Sequence, residues 1–229
     1  MVETAEKGRI NFITNMIHQR SNQDDSRIHA EFKKGNKQRE LEPEQVFTDS
    51  AYISGKNIKE YEEAGSELKG YIQKACLRKK VGFNLENFKI NMKNYTATCP
   101  GNKKSDRHSR QRSTGYIKMF FKKADCQSCC NYNDCVGTGT KALSRCLHVN
   151  PYHDTIRKRR VEQKKPSFIS EMSVRAQVEA TISEAVRFHG LRKLKFRGEK
   201  GHKFQFLLVG AGLNLKRLLK AMTFGVYLH

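Results

Sequence analysis

The sequence predicts a mixed α/β fold, interrupted by a cysteine-rich insertion and completed by a helical C-terminal part. Near the N-terminus, two short apolar runs, 46–49 and 67–72, flank a helical stretch, and this strand–helix–strand order is typical of an α/β layer. Residues 75–150 hold the cysteines among many Asn, Ser, Gly and Lys residues, with only short strand-like runs. Helical patterns dominate afterwards. We therefore expect an α/β part, an inserted loop-rich module and a helical part, with bounds 1–74, 75–150 and 151–229.

In the first part, local signals mark where elements begin and end. Residues 9–17 alternate enough to form a half-buried strand, and Asp25 is placed to cap a polar helix after it. Ser54 should cap the next helix and Gly65 should end it in a left-handed turn. The inner face of that helix would hold Ile58 and Tyr61.

The sequence of the third part, residues 151–229, predicts two long helices joined by a basic loop. Ser167, after Pro166, would cap a helix over 168–188, and a basic loop, 190–201, would lead into a last helix ending near Met222. The longest apolar run, 206–213, reads as a buried helix segment. It is far short of the ~20 residues that a membrane span needs, so no membrane partner is expected.

Positive charge is concentrated in the last two thirds of the chain. The 229 residues contain 44 Lys and Arg against 23 Asp and Glu, a net charge of +21. Residues 1–70 hold 11 basic and 13 acidic residues, whereas residues 71–229 hold 33 and 10. A field this positive favours polyanionic partners, most often nucleic acid. The alternative is a ribosome-associated or simply soluble basic protein.

Two carboxylates are candidates for chemistry. Asp49 ends an apolar strand, a position that projects into the crevice where α/β folds place ligands. Taken alone, an Asp at this position is more often a turn or N-cap residue. Glu179 is one of only ten acids after residue 70, and Arg175, one turn earlier, could pair with it internally. In a helix over 168–188 it would share a face with Met172, Arg175, Ile182 and Val186.

The cysteines have spacings that suit a metal. Four thiols, Cys99, Cys126, Cys129 and Cys135, are compatible with tetrahedral Zn²⁺ in a structural role. Further candidate ligands are Cys130, Cys146, His148 and His153, and the alternative is a set of free, partly buried thiols. With no apolar export signal at the N-terminus, reduced thiols and a cytoplasmic location are expected.

A basic segment near the C-terminus suits phosphate contacts. Six positive side chains fall within twelve residues with Phe196 among them, namely Arg192, Lys193, Lys195, Arg197, Lys200 and Lys203. A solvated charged face is the alternative. The run 157–160, on a predicted helix, could touch DNA or remain hydrated.

Two blocks of sequence resemble DDE transposases of bacterial insertion sequences. The block VEATISEAVRFHGLRKLKFRGEKGHKFQFLLVGAGLNLKRL resembles that family's Glu-bearing helix, its His-Gly-Leu-Arg turn, its Arg-Gly loop and its closing Asn-Leu-Lys-Arg-Leu helix. The block VFTDSAYISGKNIKEYEEAG resembles the family's strand with its second Asp. The Cys-Pro at 99 and the Cys-x2-Cys-x5-Cys run also resemble an insertion found in some of these transposases.

The resemblance implies an RNase H-like mixed sheet flanked by helices, in which three acids hold two divalent metal ions. Asp49 would be the second acid and Glu179 the third, both binding Mg²⁺ or Mn²⁺. The first Asp of the family lies on an upstream strand, and we expect this chain to begin too late to contain it and to be inactive alone. The family's Tyr and Lys positions hold Met172 and Val186 here, and Arg187 is the adjacent substitute for the Lys.

The resemblance also implies metal-dependent phosphodiester cleavage and strand transfer at transposon ends. Partners would be double-stranded DNA, as terminal inverted repeats and target, and possibly further copies of the chain, near the nucleoid. DNA contacts would come from Arg175 and Arg187 together with the six residues of the basic segment. Two alternatives remain open: a non-catalytic basic DNA-binding protein derived from a transposase, and a zinc-stapled basic scaffold unrelated to DNA.

Overall fold

A computed structural model describes residues 1–6, 8–18, 26–73, 82–137 and 141–224. The chain divides into two compact units, one formed by residues 1–71 with 160–229 and the other by residues 72–159. Helices and small sheets make up both units, so the predicted mixed α/β class is confirmed. The sheets among the described residues have two or three strands each, and the RNase H-like arrangement stays a prediction.

The described residues form eight α-helices and nine short strands. The helices are α1 (Ser26–Gln38), α2 (Gly55–Glu63), α3 (Lys123–Gln127), α4 (Tyr132–Val136), α5 (His153–Glu162), α6 (Pro166–Met172), α7 (Arg175–Arg187) and α8 (Gly198–Phe224). The strands are β1 (Val2–Glu3), β2 (Ile13–Asn15), β3 (Gln45–Phe47), β4 (Glu67–Lys69), β5 (Lys89–Asn91), β6 (Thr96–Thr98), β7 (Arg107–Arg110), β8 (Ile117–Phe120) and β9 (Cys146–Val149).

The β3–α2–β4 segment follows the sequence-based prediction closely. β3 and β4 pair in parallel, with Val46 opposite Leu68. The Ser54 side chain accepts a hydrogen bond from the Asn57 amide at 3.1 Å, which satisfies a donor at the start of α2. Gly65 follows the helix with φ +80°, a conformation that a residue with a Cβ rarely adopts. The inner-face residues Ile58 and Tyr61 are buried. Asp25, the expected cap of the preceding helix, lies outside the described residues.

The single helix expected over 168–188 is wrong, because the chain forms α6 and α7 with a break at residues 173–174. Ser173 and Val174 keep right-handed helical dihedral angles, but the hydrogen bonds there tighten to the i→i−3 pattern, with the amides of Ser173 and Val174 donating to the carbonyls of Ser170 and Glu171. Ser167 is not the cap either. Lys165 occupies the cap position and Pro166 is the first helical residue, where its missing N–H costs nothing.

Helices α7 and α8 pack together with β2 in a core of the first unit. Its buried members are Ile13, Ala185, Val209 and Leu213. The Asn214 side chain closes this contact, since it bonds both the amide and the carbonyl of Ile13, at 2.8 Å and 2.9 Å. The expectation that the run 206–213 is buried throughout is wrong, because Leu207 and Leu208 are 58% and 51% exposed.

Arg217 of α8 joins three parts of the first unit. Its guanidinium donates to the Glu3 carboxylate at 3.0 Å, to the Asn11 carbonyl at 2.6 Å and to the Thr181 hydroxyl at 2.6 Å. The Glu3 side chain is only 2% exposed, so its charge depends on this partner. Arg217 thereby fixes the N-terminal hairpin and α7 against α8.

The second unit has its own core around antiparallel strands. β8 is the central strand between β7 and β9, and β5 pairs with β6. Seven buried side chains form the core: Phe88, Ala97, Ile117, Met119, Phe121, Leu147 and Val149. No described helix of the chain combines the length and the apolar character that a membrane span requires.

Arg217→Met should destabilise the protein strongly, because it leaves the buried Glu3 carboxylate without its positive partner. We expect a loss of about 3–5 kcal/mol in the free energy of unfolding, measured by urea denaturation. The matched control is Lys216→Met, which breaks only the 2.5 Å ion pair of an exposed side chain with Glu184. That change should cost at most about 1 kcal/mol. Equal losses for the two variants would contradict the role given to Arg217.

Candidate active site

Asp49 lies two residues beyond the end of β3, at the carboxyl end of the parallel β3–β4 pair. The amide of Thr48 donates to the Lys69 carbonyl at 2.8 Å, which extends the strand pairing up to Asp49. The Asp49 carboxylate caps a short 3₁₀ helix, Ser50–Tyr52, by accepting from the Ser50 amide at 2.6 Å. Asp49 therefore does act as a cap, through its Oδ1 atom. Its side chain is 56% exposed, so the carboxylate remains accessible to other partners.

Glu179 lies on the outer face of α7. Thr181 and Ala185, on another side of this helix, are buried against the core. The Glu179 side chain is 66% exposed, so the expectation of a carboxylate held among apolar neighbours is wrong. Met172 is not on the same helix, and Ile182 is 42% exposed. Glu179 is thus accessible to a ligand from solvent.

Arg175, the first residue of α7, brings the two carboxylates together. Its Nη2 atom lies 3.5 Å from Oδ1 of Asp49 and 3.2 Å from Oε1 of Glu179. The two carboxylate oxygens are therefore no farther apart than the sum of these distances. The expected internal Arg175–Glu179 pair is present, and the same guanidinium also holds Asp49 across 126 residues of sequence. Two acids that are distant in the chain converge on one cation.

A buried lysine links the helix that precedes α7 to the strand beside β3. Lys69, at the end of β4, is 5% exposed, and its ammonium pairs with Glu67 at 3.2 Å and with Glu171 of α6. Burial disfavours the ammonium, but hydrogen bonds to Glu171 and Glu67 outweigh that effect, so the pKa of Lys69 is raised. The pair with Glu171 fastens α6, which leads directly into α7, to the strand beside β3. Sequence patterns did not single out Lys69.

The acid pair offers the donor type that a hard divalent cation prefers. Carboxylate oxygens are the ligands that Mg²⁺ and Mn²⁺ prefer, and one positive nitrogen already lies within 3.5 Å of both side chains. Two carboxylates alone do not make a complete set of metal ligands. Over the described ranges, no group of three or more His, Cys, Asp or Glu side chains is arranged to hold a metal ion.

The predicted basic segment lies on the surface of the first unit. All six of its charged side chains are exposed, namely Arg192, Lys193, Lys195, Arg197, Lys200 and Lys203. Its last part is the start of α8, which begins at Gly198 rather than after residue 201. Arg187, at the end of α7, is also exposed and lines a shallow open cleft with Phe188 and Lys216. In the run 157–160, Arg159 is buried rather than hydrated.

Gln205 fixes the backbone of this segment, and no sequence pattern indicated it. Its side chain is 6% exposed, accepts from the Lys195 amide at 2.7 Å and donates to the Lys193 carbonyl at 3.0 Å. Phe196 packs edge-on against Phe204, with ring centroids 5.5 Å apart. A polar clamp and an aromatic contact thus hold the loop on α8 while its charged side chains point outward.

The four predicted zinc ligands lie in the second unit. Cys99, Cys126, Cys129 and Cys135 are each partly buried, whereas Cys130 is exposed. The acid pair, by contrast, belongs to the first unit.

Comparison with protein families identifies a match. The family model described as a transposase DDE domain matches residues 98–219, slightly more than half of the chain. The matched range contains Glu179 and the four cysteines but not Asp49. Neither a curated protein nor a solved structure matches the chain. Because this family model covers more than half of its length, the chain belongs to the transposase DDE domain family.

Proposed function

We propose that this chain acts on double-stranded DNA at transposon ends, with Asp49 and Glu179 as two of the carboxylates of an RNase H-like centre. The observation that carries the proposal is the convergence of these two side chains on the single guanidinium of Arg175. Membership of the transposase family supplies the reaction class, and the pair supplies the place on this chain where that reaction would be organised.

The roles of the chain's own residues follow from their positions. When bound, divalent Mg²⁺ or Mn²⁺ ions supply activation of water or a 3′-hydroxyl and stabilisation of the leaving oxygen at a phosphodiester. Asp49 and Glu179 would hold such a cation by oxygens that are already solvent-accessible. Arg175 balances their charge in the absence of the ion, and Lys69 keeps the helix that follows Glu171 near the strand end.

A third carboxylate is required before cleavage can occur. Three acids hold the metal ions in this class of centre, and within the described ranges no third one joins the pair. We therefore propose that the chain on its own binds DNA without cutting it. The same observation favours the second candidate function, a non-catalytic DNA-binding protein that keeps the basic surface of a transposase.

Cleavage by the purified chain tests this point directly. Incubated with Mg²⁺ and duplex DNA that carries the element's terminal inverted repeats, the chain should leave both strands intact. The measurement is the length of end-labelled strands on a denaturing gel. Mg²⁺-dependent cuts that vanish in Glu179→Gln would contradict the need for a further acid while supporting the assignment of Glu179.

Cation binding at the acid pair can be measured without DNA. Fe²⁺ binds oxygen ligands at least as well as Mn²⁺ does, and with ascorbate it cuts the polypeptide next to its site. We expect cuts near residues 49 and 179 that excess Mg²⁺ suppresses. Asp49→Asn and Glu179→Gln should each remove both cuts, because each variant leaves only one carboxylate. Arg175→Gln should strengthen them several-fold by removing a competing positive charge.

The matched control for these variants is Glu62→Gln, an exposed acid on α2 that lies outside the pair. It should leave the cuts unchanged. Cuts that are absent in the wild type, or that survive Glu179→Gln, would rule out a shared cation site and with it the proposed centre.

DNA binding should depend steeply on salt, because the exposed basic segment neutralises backbone phosphates. If about six phosphates are contacted, affinity for a duplex should fall about a thousandfold or more between 50 and 200 mM salt. The double variant Lys193→Gln/Lys195→Gln should lower the slope of log affinity against log salt by about 2. Fluorescence anisotropy with a labelled inverted-repeat duplex measures both quantities.

A charge-matched control distinguishes the effect of the basic segment on DNA binding from the effect of a lower net charge. Lys34→Gln/Lys37→Gln removes two exposed lysines of α1, and it should leave the slope nearly unchanged. Equal effects of the two double variants would show that binding does not use the basic segment. A slope near zero for the wild type would exclude DNA as the partner.

A further inference from the structure

Four of the six described cysteines meet at one point in the second unit. Gly101 marks this point, since a Cβ built on it would lie 3.7 Å from the sulfur of Cys99 and 3.7 Å from the sulfur of Cys129. The two sulfurs are therefore separated by no more than twice that distance. Cys130, the immediate neighbour of Cys129, is exposed instead. The fold thus places Cys129 in the group, as the spacing predicted, and leaves Cys130 outside it.

Cys126 and Cys135 complete the group. Burial raises the pKa of the Cys126 thiol, and Cys99 and Cys129 are near enough to raise it further. Burial likewise raises the pKa of Cys135, with added contributions from Cys126, Cys99 and Cys129. Cys146 is different, because basic side chains and no other thiol act on it. The four thiols are therefore close enough to interact with one another.

The backbone around the group provides donors that suit thiolate sulfur. The segment after β6 folds back so that the Lys103 amide lies 3.3 Å from the Cys99 sulfur. Asn102, with φ +56°, makes that turn possible. The Arg145 backbone also hydrogen-bonds the sulfur of Cys126, and the Arg145 guanidinium, fixed to the Cys135 carbonyl at 2.6 Å, places a positive charge beside the cluster. Amide donors and a fixed cation both favour sulfur in its charged form.

The short helices that carry these cysteines need stabilisation from outside their own backbone hydrogen bonds. Cys126 lies in α3 and Cys135 in α4, helices of five residues each, and Cys129 lies between them. A helix of this length gains too little from its own hydrogen bonds to be stable in isolation. Three of the group also pack against the core of the second unit, Cys99, Cys126 and Cys135, so a bond among the thiols would fasten both short helices to the strands.

We propose that Cys99, Cys126, Cys129 and Cys135 bind one Zn²⁺ ion as a closed structural site, and that Cys130 and Cys146 take no part. Thiolate sulfur selects a soft or borderline cation, and four protein ligands leave no position for a substrate. No group among the described side chains stands ready to hold a metal ion, so the thiols must turn inward on binding. The proposal is independent of the acid pair and of DNA.

Metal content of the purified full chain tests the assignment. Protein expressed with zinc and kept reduced should contain one Zn²⁺ per chain by mass spectrometry of the metal. Cys130→Ser and Cys146→Ser should keep that ion, whereas Cys129→Ser should lose it. The adjacent pair Cys129 and Cys130 is the matched comparison, because both substitutions make the same chemical change at neighbouring positions.

Cobalt replacement supplies a readout that does not depend on a variant folding. Co²⁺ bound to the wild-type chain should give a charge-transfer absorption whose intensity corresponds to four sulfur ligands. Reduced wild-type protein with neither bound zinc nor this absorption would overturn the proposal. So would equal metal loss in Cys130→Ser and Cys129→Ser. Thiol titration of the unfolded, unreduced chain should find all seven cysteines free, and two fewer would indicate a disulfide instead.

Discussion

The position of the candidate active site depends on a buried ion pair at the opposite side of α7. Arg217 of α8 neutralises Glu3, which has almost no access to water, and the same guanidinium bonds the Thr181 hydroxyl in the middle of α7. A buried carboxylate tolerates only a narrow range of partner positions, because displacement of the cation leaves an uncompensated charge. The helix that carries Glu179 is therefore held against both α8 and the N-terminal hairpin. The exposed face of α7 can present charged residues because its other face is fixed in this way.

The strand side of the site is held by a second ion pair, in which the lysine is buried and its glutamate partner is partly exposed. Lys69 of β4 pairs with Glu171 of α6, so the chain enters α7 from a point that is tied to the strand beside β3. Asp49 and Glu179 then meet at Arg175 without a direct bond between their own elements. Two carboxylates close together repel each other unless a cation lies near both. In this chain a guanidinium provides that cation, and a divalent ion would satisfy the same electrostatic requirement.

Elements with strong local signals were predicted well. The cap of α2 by Ser54, its end at Gly65 and the inward faces of Ile58 and Tyr61 all follow from residue types at fixed spacings, and all are present. The break between α6 and α7 was missed, because the sequence around residues 173–174 has neither Pro nor Gly and the apolar spacing continues across it. Met172 and Val174, at the break, are both buried, and burial depends on the neighbours that the fold brings in. The exposure of Glu179, Leu207 and Leu208 was misjudged for the same reason.

By itself the sequence determined the charge of each region, the start and end of several elements, and the residue types available for metal or phosphate, because these are local properties. Only the tertiary structure decided which of them act together. It brought Asp49 and Glu179 to one guanidinium, brought Cys99 and Cys129 close together, and buried Gln205 beneath the basic loop. Each of these depends on contacts between residues far apart in the chain or on which side of a turn a side chain falls. Such contacts arise from packing, and no periodicity along the sequence encodes them.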